Sequence, residues 1–207
     1  MIPFRNLLIL FTILIWSTVS FGQTNKTDTD HLHVPGPIVF ENKSYNLVWT
    51  SHVADSSSGD TYKQEYIAND DTLATFRTMI LIDVVTGKTT IEDLVDAKIA
   101  ELNELKALNP IVNFETFNNK KTGEYMIDFL ISENSPDGQY INMAERNVYR
   151  YKTFTDKEGQ DDVLLFGVSK RSYGDDIDGF LTSLKSKRSE LIKTVGKFII
   201  PEITITN

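Results

Sequence analysis

Apolar and polar residues are patterned in four distinct ways along this chain. Residues 7–16 are apolar apart from Thr12, preceded by Arg5 and followed by Ser20, Phe21 and Gly22 ahead of Gln23. Residues 23–37 are mostly Thr, Asp, Asn and His with Pro35 and Pro37, and show no period. A period of 2 then sets in. Residues 45–53 and 62–67 read as strands, separated by the polar stretch 54–60, which reads as an exposed loop. Residues 75–85 carry Phe76, Met79, Ile80, Leu81, Ile82, Val84 and Val85, an almost continuous apolar run that predicts a strand covered on both faces.

At Thr86 and Gly87 the period switches to 3.6. Ile91, Leu94, Val95, Leu102, Leu105 and Leu108 fall on one face of a helix. Thr89 or Thr90 can accept the N–H groups of its first turn, Glu92 and Asp93 favour its positive end, and Asn109-Pro110 stops it. Past Pro110 the period returns to 2. Residues 111–117, 124–132, 141–154 and 162–172 read as strands, joined by the turn-forming stretches 118–123, 135–138 and 156–159. Links this short require antiparallel neighbours, hence a four-stranded meander. Ile177, Phe180, Leu181, Leu184, Leu191 and Val195 mark a second helix, opened by Asp175 and Asp176 and closed near Gly196. A β-like tail over 198–205 follows.

Two amphipathic helices and an antiparallel sheet must bury their apolar faces against each other. The expected class is therefore α+β: a central antiparallel sheet of about six strands flanked by two helices, an α/β/α sandwich. Gln64-Glu65-Tyr66, followed by Phe76-Arg77-Thr78-Met79-Ile80, is similar to the "EY…W-T-x-M" opening of exported bacterial proteins of the PsbP/Mog-like family, with Phe76 in place of the Trp. With the order of elements over residues 62–200, the chain resembles that family. The resemblance implies the sandwich fold and a role as a binding or assembly subunit.

The N-terminal pattern has the layout of a secretory signal peptide over residues 1–22, cut after Gly22. Its apolar part falls short of the roughly 20 residues that a membrane-crossing helix needs, so no stable membrane anchor is expected after cleavage. Residues 23–37 are expected to be a flexible leader and residues 38–207 one domain. The expected address is the periplasm or exterior of a bacterium, of Gram-negative type.

Composition narrows the chemistry. The formal net charge is −8, and cleavage would also remove Arg5. Such a charge opposes binding to nucleic acid or anionic lipid, which reward clustered cations. The absence of cysteine removes disulfides, thiol nucleophiles, a lipoprotein anchor and Cys-based zinc sites. His31, His33 and His52 all precede the main body of the domain, so a His-based general base is not expected there. His31-Leu32-His33 could present two imidazoles to a metal, yet no third ligand accompanies them. Asp175, Asp176 and Asp178 before Gly179 lack the rest of a calcium loop and are explained by the helix start. No phosphate-binding glycine loop, HExxH or GxSxG occurs, and no cofactor is expected.

The strand over 141–154 is the most distinctive. Period 2 places Arg146 and Arg150 on one face, and Tyr149 and Tyr151 on the other. The arginines could hold a carboxylate or phosphate or receive an acidic partner; alternatively they pair with acids on the adjacent strands. Trp49 with Tyr45, and Tyr62 and Tyr66 with Phe76, form aromatic stripes that line either a groove or the core. Together these features point to an exported, non-catalytic domain that binds a protein or envelope component, with Arg146, Arg150, Tyr149 and Tyr151 as candidate binding residues. The alternative is a carrier for a lipid or anionic metabolite, with its pocket between sheet and helix. A hydrolase built on two facing carboxylates is a third reading.

Overall fold

The computed structural model describes residues 29–57 and 59–205. The expected signal peptide, its expected cut after Gly22 and the start of the expected leader lie outside the described residues. In chain order the elements are β1 (Ile38–Phe40), β2 (Lys43–Val53), β3 (Thr61–Ile67), β4 (Thr78–Val85), α1 (Ile91–Leu108), β5 (Asn113–Asn119), β6 (Glu124–Asn134), β7 (Ile141–Thr155), β8 (Asp161–Tyr173) and α2 (Ile177–Lys197). All strands form one antiparallel sheet of order β1-β2-β3-β4-β8-β7-β6-β5. Two four-stranded meanders thus meet where β4 pairs with β8. The α1 segment carries the chain from the end of the first meander to the far edge of the sheet.

The expected six-stranded α/β/α sandwich is corrected by this sheet of eight strands. Strands lie about 4.8 Å apart, so eight extend over roughly 34 Å, whereas a helix with its side chains is about 10–12 Å across. Two helices cannot cover so wide a sheet. On one face α2 packs across β7 and β8, with Leu191 and Val195 in a cluster that includes Val148, Phe166, Ile80, Ile82 and Tyr66. On the opposite face α1 lies over β5, β6 and β7. There Ile91, Val95 and Leu102 meet Ile127, Phe129 and Tyr151.

Neither helix covers the β1–β3 end of the α2 face; both ends of the chain do. Leu32 is 0 % exposed and Val34 is buried beside Ile203 of the C-terminal tail. The Leu32 N–H donates to Gln64 Oε1 at 3.1 Å, the Tyr66 hydroxyl to the Val34 carbonyl at 2.7 Å, and the Thr204 N–H to the Leu32 carbonyl at 3.0 Å. The flexible leader of 23–37 is therefore corrected for its described part. Two apolar side chains in a polar stretch suffice to bind it to the sheet when a buried glutamine and tyrosine satisfy its backbone. The tail over 198–205 runs along the domain without joining the sheet as a strand.

The α1 boundaries follow the sequence signals. Thr90 accepts the Asp93 N–H while the Asp93 carboxylate takes the Thr90 N–H, a reciprocal cap. Leu105 and Leu108 depart from the pattern: the last turn leaves them exposed. Ahead of α2, the 3-10 turn Gly174–Asp176 precedes the helix, and Asp176 makes no capping hydrogen bond. It pairs instead with Arg77 at 3.2 Å.

Candidate functional site

On the α2 face, β7 supplies two arginines. Arg146 is 4 % exposed; its Nε donates to Asp128 Oδ1 of β6 at 2.8 Å and its guanidinium also reaches the Arg188 carbonyl of α2 at 2.6 Å. Arg188 holds the other oxygen of Asp128. Four residues along the same strand, Arg150 grips both oxygens of Glu124 at 2.8 and 3.2 Å, and donates to the Phe198 and Val195 carbonyls at 3.0 and 3.4 Å. Those carbonyls end α2, where a cation opposes the negative helix terminus. Both arginines thus fasten α2 to the sheet by direct hydrogen bonds to its backbone, each held in place by an acid on β6.

The tyrosines turn to the other face. Tyr151 is buried under α1. Tyr149 is half-buried, edge-on to Phe129 at 4.9 Å, with its ring lying over Gly167 of β8. A Cβ at Gly167 would lie 3.0 Å from the ring and 3.1 Å from Leu81 Cδ1, so a side chain there would need both neighbours to give way slightly. Burial raises the pKa of the Tyr149 and Tyr151 hydroxyls. The four residues singled out from the sequence therefore occupy two opposite faces.

The open part of the molecule is elsewhere. The apolar cluster around α1 takes no side chain from β2, β3 or β4. The loop after β3 covers one end of that face through Phe76, packed with Ile67 and Met79; the remainder is uncovered. A β-bulge between Leu47 and Trp49 shifts the register of β2. Tyr45 accordingly points into the core beside Tyr62 and Tyr66, whereas Trp49 emerges on the α1 side, 36 % exposed. The stripe that joined Trp49 to Tyr45 in sequence is split by this one extra residue.

Trp49 is the register partner of Glu65, and Lys63 that of Asp83. Residues 63 and 65 share a face of β3, so one indole, two carboxylates and one ammonium stand together. The Lys63 Nζ lies 3.5 Å from Asp83 Oδ2; Asp83 Oδ1 is buried and accepts no hydrogen bond. Burial, and then the Asp83 charge, pushes the Glu65 carboxyl up to about 7. Burial also raises the pKa of Asp83, against the pull of Lys63. Perturbed acids of this kind mark a candidate site on physical grounds. The sequence reading missed it, because the run over 75–85 predicts a strand covered on both faces. Ile80, Ile82 and Val84 are buried, but Leu81, Asp83 and Val85 on the alternate face are only half-buried. The signal was Asp83 itself, a charge within an apolar run.

Two of the histidines, His31 and His52, meet at the other end of β2. His52 stacks on Tyr62 with ring centroids 4.3 Å apart and places Nε2 2.9 Å from Asp60 Oδ2, while His31 lies 5.5 Å from His52. The hydrogen bond from His52 holds the Asp60 carboxyl below its usual range. Among the described residues no group of three or more His, Cys, Asp or Glu is placed to hold a metal ion. Next to this cluster, a cleft of about 670 Å³ lies between the β7–β8 hairpin and the C-terminal tail. Its lining includes Phe154, Leu164 and Ile203 with Lys152, Asp60 and Glu202. No described helix is long and apolar enough to cross a membrane.

Fold and site together define an α+β domain on a single eight-stranded antiparallel sheet with one face partly open. A protein-family model matches residues 32–200, and the chain belongs to that family. The match begins at buried Leu32, so the family's unit includes the N-terminal segment that packs on the sheet. No curated protein and no solved structure matches the chain.

Proposed function

We propose that this chain is an exported, non-catalytic domain that binds a protein component of the bacterial envelope through the uncovered face of β2–β4. The observation that carries the reading is Trp49, lifted by the β2 bulge onto a sheet face that neither helix covers. Val53, 60 % exposed on the same face, extends the apolar area. Exposed aromatic and aliphatic side chains beside partly desolvated polar ones suit the centre of a protein interface. Export rests on the signal-peptide pattern. Photocrosslinking in cells tests it: p-benzoylphenylalanine at Ser51, on the open face, is compared with the same probe at Lys193, exposed on α2. A discrete adduct from Ser51 that is absent from Lys193 and lost on adding Trp49→Ala supports the proposal. No adduct from Ser51, or equal adducts from both positions, overturns it.

The cleft beside the C-terminal tail favours a second reading, a small-ligand carrier. Asp60, Asp156, Glu158 and Glu202 line it against Lys152 and Lys157, a balance suited to a neutral or cationic ligand more than to an anionic metabolite. Native mass spectrometry of the chain purified from its envelope tests this reading: a retained small molecule supports it, and the bare mass contradicts it.

A further inference from the structure

We infer that the open face of β2–β4 docks a basic segment of a protein partner, one lysine or arginine side chain of which seats against Trp49, Glu65 and Asp83. This rests on the proposed function and specifies the chemistry of the partner.

The local charge is unbalanced. Two carboxylates, Glu65 and Asp83, share one nearby ammonium, Lys63, whose side chain is 41 % exposed and reaches only Asp83 Oδ2. The other Asp83 oxygen is buried without a hydrogen bond. Among the described residues Glu65 has no hydrogen-bond or ion-pair partner. The next cations act on the site from farther away, Arg171 on Glu65 and Lys98 on Asp83, and each is ion-paired with another acid, Arg171 with Glu145 and Lys98 with Glu101 at 2.6 Å. A half-buried negative charge of this kind is costly until a cation neutralises it.

The neighbours decide which cation fits. Trp49 pairs directly with Glu65 in the register and is exposed, so its ring offers a face to an ammonium or guanidinium. A guanidinium or ammonium on that ring could donate charge-assisted hydrogen bonds to Glu65, while the buried Asp83 carboxylate beneath adds its charge to the site. Two carboxylates fall well short of the roughly six oxygen ligands a calcium or magnesium ion takes. The net charge of −8 would in addition steer a basic segment towards this surface.

Trp49 also supplies the measurement. The chain has two tryptophans, Trp16 and Trp49, so in the full chain carrying Trp16→Phe the indole fluorescence reports on Trp49 alone. At about pH 8, where Glu65 is ionised, this protein is titrated separately with N-acetylarginine amide, N-acetyllysine amide, N-acetylglutamine amide and calcium chloride. The inference predicts saturable responses to the arginine and lysine amides, with affinity about tenfold or more weaker in Glu65→Gln and in Asp83→Asn, and no saturable response to the glutamine amide. Silence towards both cationic amides, undiminished binding in both variants, or a response to calcium alone would overturn it. If the cationic amides are silent while Ser51 still crosslinks its partner in cells, only the basic anchor falls. If both fail, the docking face itself is wrong.

Discussion

Arg146 and Arg188 hold the two oxygens of one buried carboxylate, Asp128, and Arg146 also donates to the backbone carbonyl of Arg188. Asp128 is 2 % exposed, so this bridge between β6, β7 and α2 leaves little room for water to replace either partner. Removing one member of a buried pair leaves the other charge uncompensated, at a cost of about 3–5 kcal/mol. Arg146→Ala leaves Asp128 with Arg188 as its remaining cation, so the loss in urea denaturation is expected at or below the lower end of that range, about 3 kcal/mol. Asp128→Asn should also destabilise, since it leaves buried Arg146 without a carboxylate, whereas Arg188 keeps Glu115 at 3.1 Å.

Arg150 acts at the end of α2, on the carbonyls of Val195 and Phe198. Its hydrogen bonds are charge-assisted, and losing them is expected to cost about 1.5–3 kcal/mol. Amide hydrogen exchange should show Arg150→Ala releasing the last turn of α2 first, with the β4–β8 ladder still protected.

Leu32 lies wholly buried on the sheet, within a stretch that reads as leader in the sequence. Leu32→Ala is expected to cost about 2–5 kcal/mol, as for other buried leucines. A genuinely flexible leader would make the substitution silent in the same denaturation experiment.

Glu65 links stability to pH. Its carboxyl titrates near 7 in the fold against an ordinary value of 4.5, so the folded chain binds the proton more tightly than the unfolded one. The stability contributed by protonated Glu65 is fully present below about 4.5 and is lost as pH rises through about 7. The groups acting on it are Asp83 and Glu145, which raise its pKa, and Lys63 and Arg171, which lower it. Between about pH 5 and 8 the urea midpoint of the native chain should fall more steeply than that of Glu65→Gln, which cannot ionise. Parallel profiles would mean that Glu65 is solvated like an ordinary carboxylate.

Helix α1 and the β5–β8 meander were legible because their signals are local: Thr90 and Asp93 at the cap, Pro110 past the end, and turn residues between strands. The width of the sheet was not, because β1 is three residues long and the two-residue turn that pairs it with β2, Glu41-Asn42 with both φ positive, offers only Asn42 as a turn signal. The packing of Leu32 depends on Gln64, a contact between distant parts of the chain. The sequence did indicate that Arg146 and Arg150 share a face and that acids on the adjacent strand could pair with them. It could not reveal that α2 lies on that face. The open face was hidden for a comparable reason: one bulge at β2 moves Trp49 across the sheet, and which half of β4 remains uncovered depends on where α1 lands.

The affinity of the partner captured at Ser51, measured against the purified chain and its Trp49→Ala variant, tests the central claim most directly, with Lys193→Ala as the control on α2. Binding through the open face predicts a loss of about tenfold or more for Trp49→Ala and no change for Lys193→Ala. Equal affinity of Trp49→Ala and the native chain would contradict it.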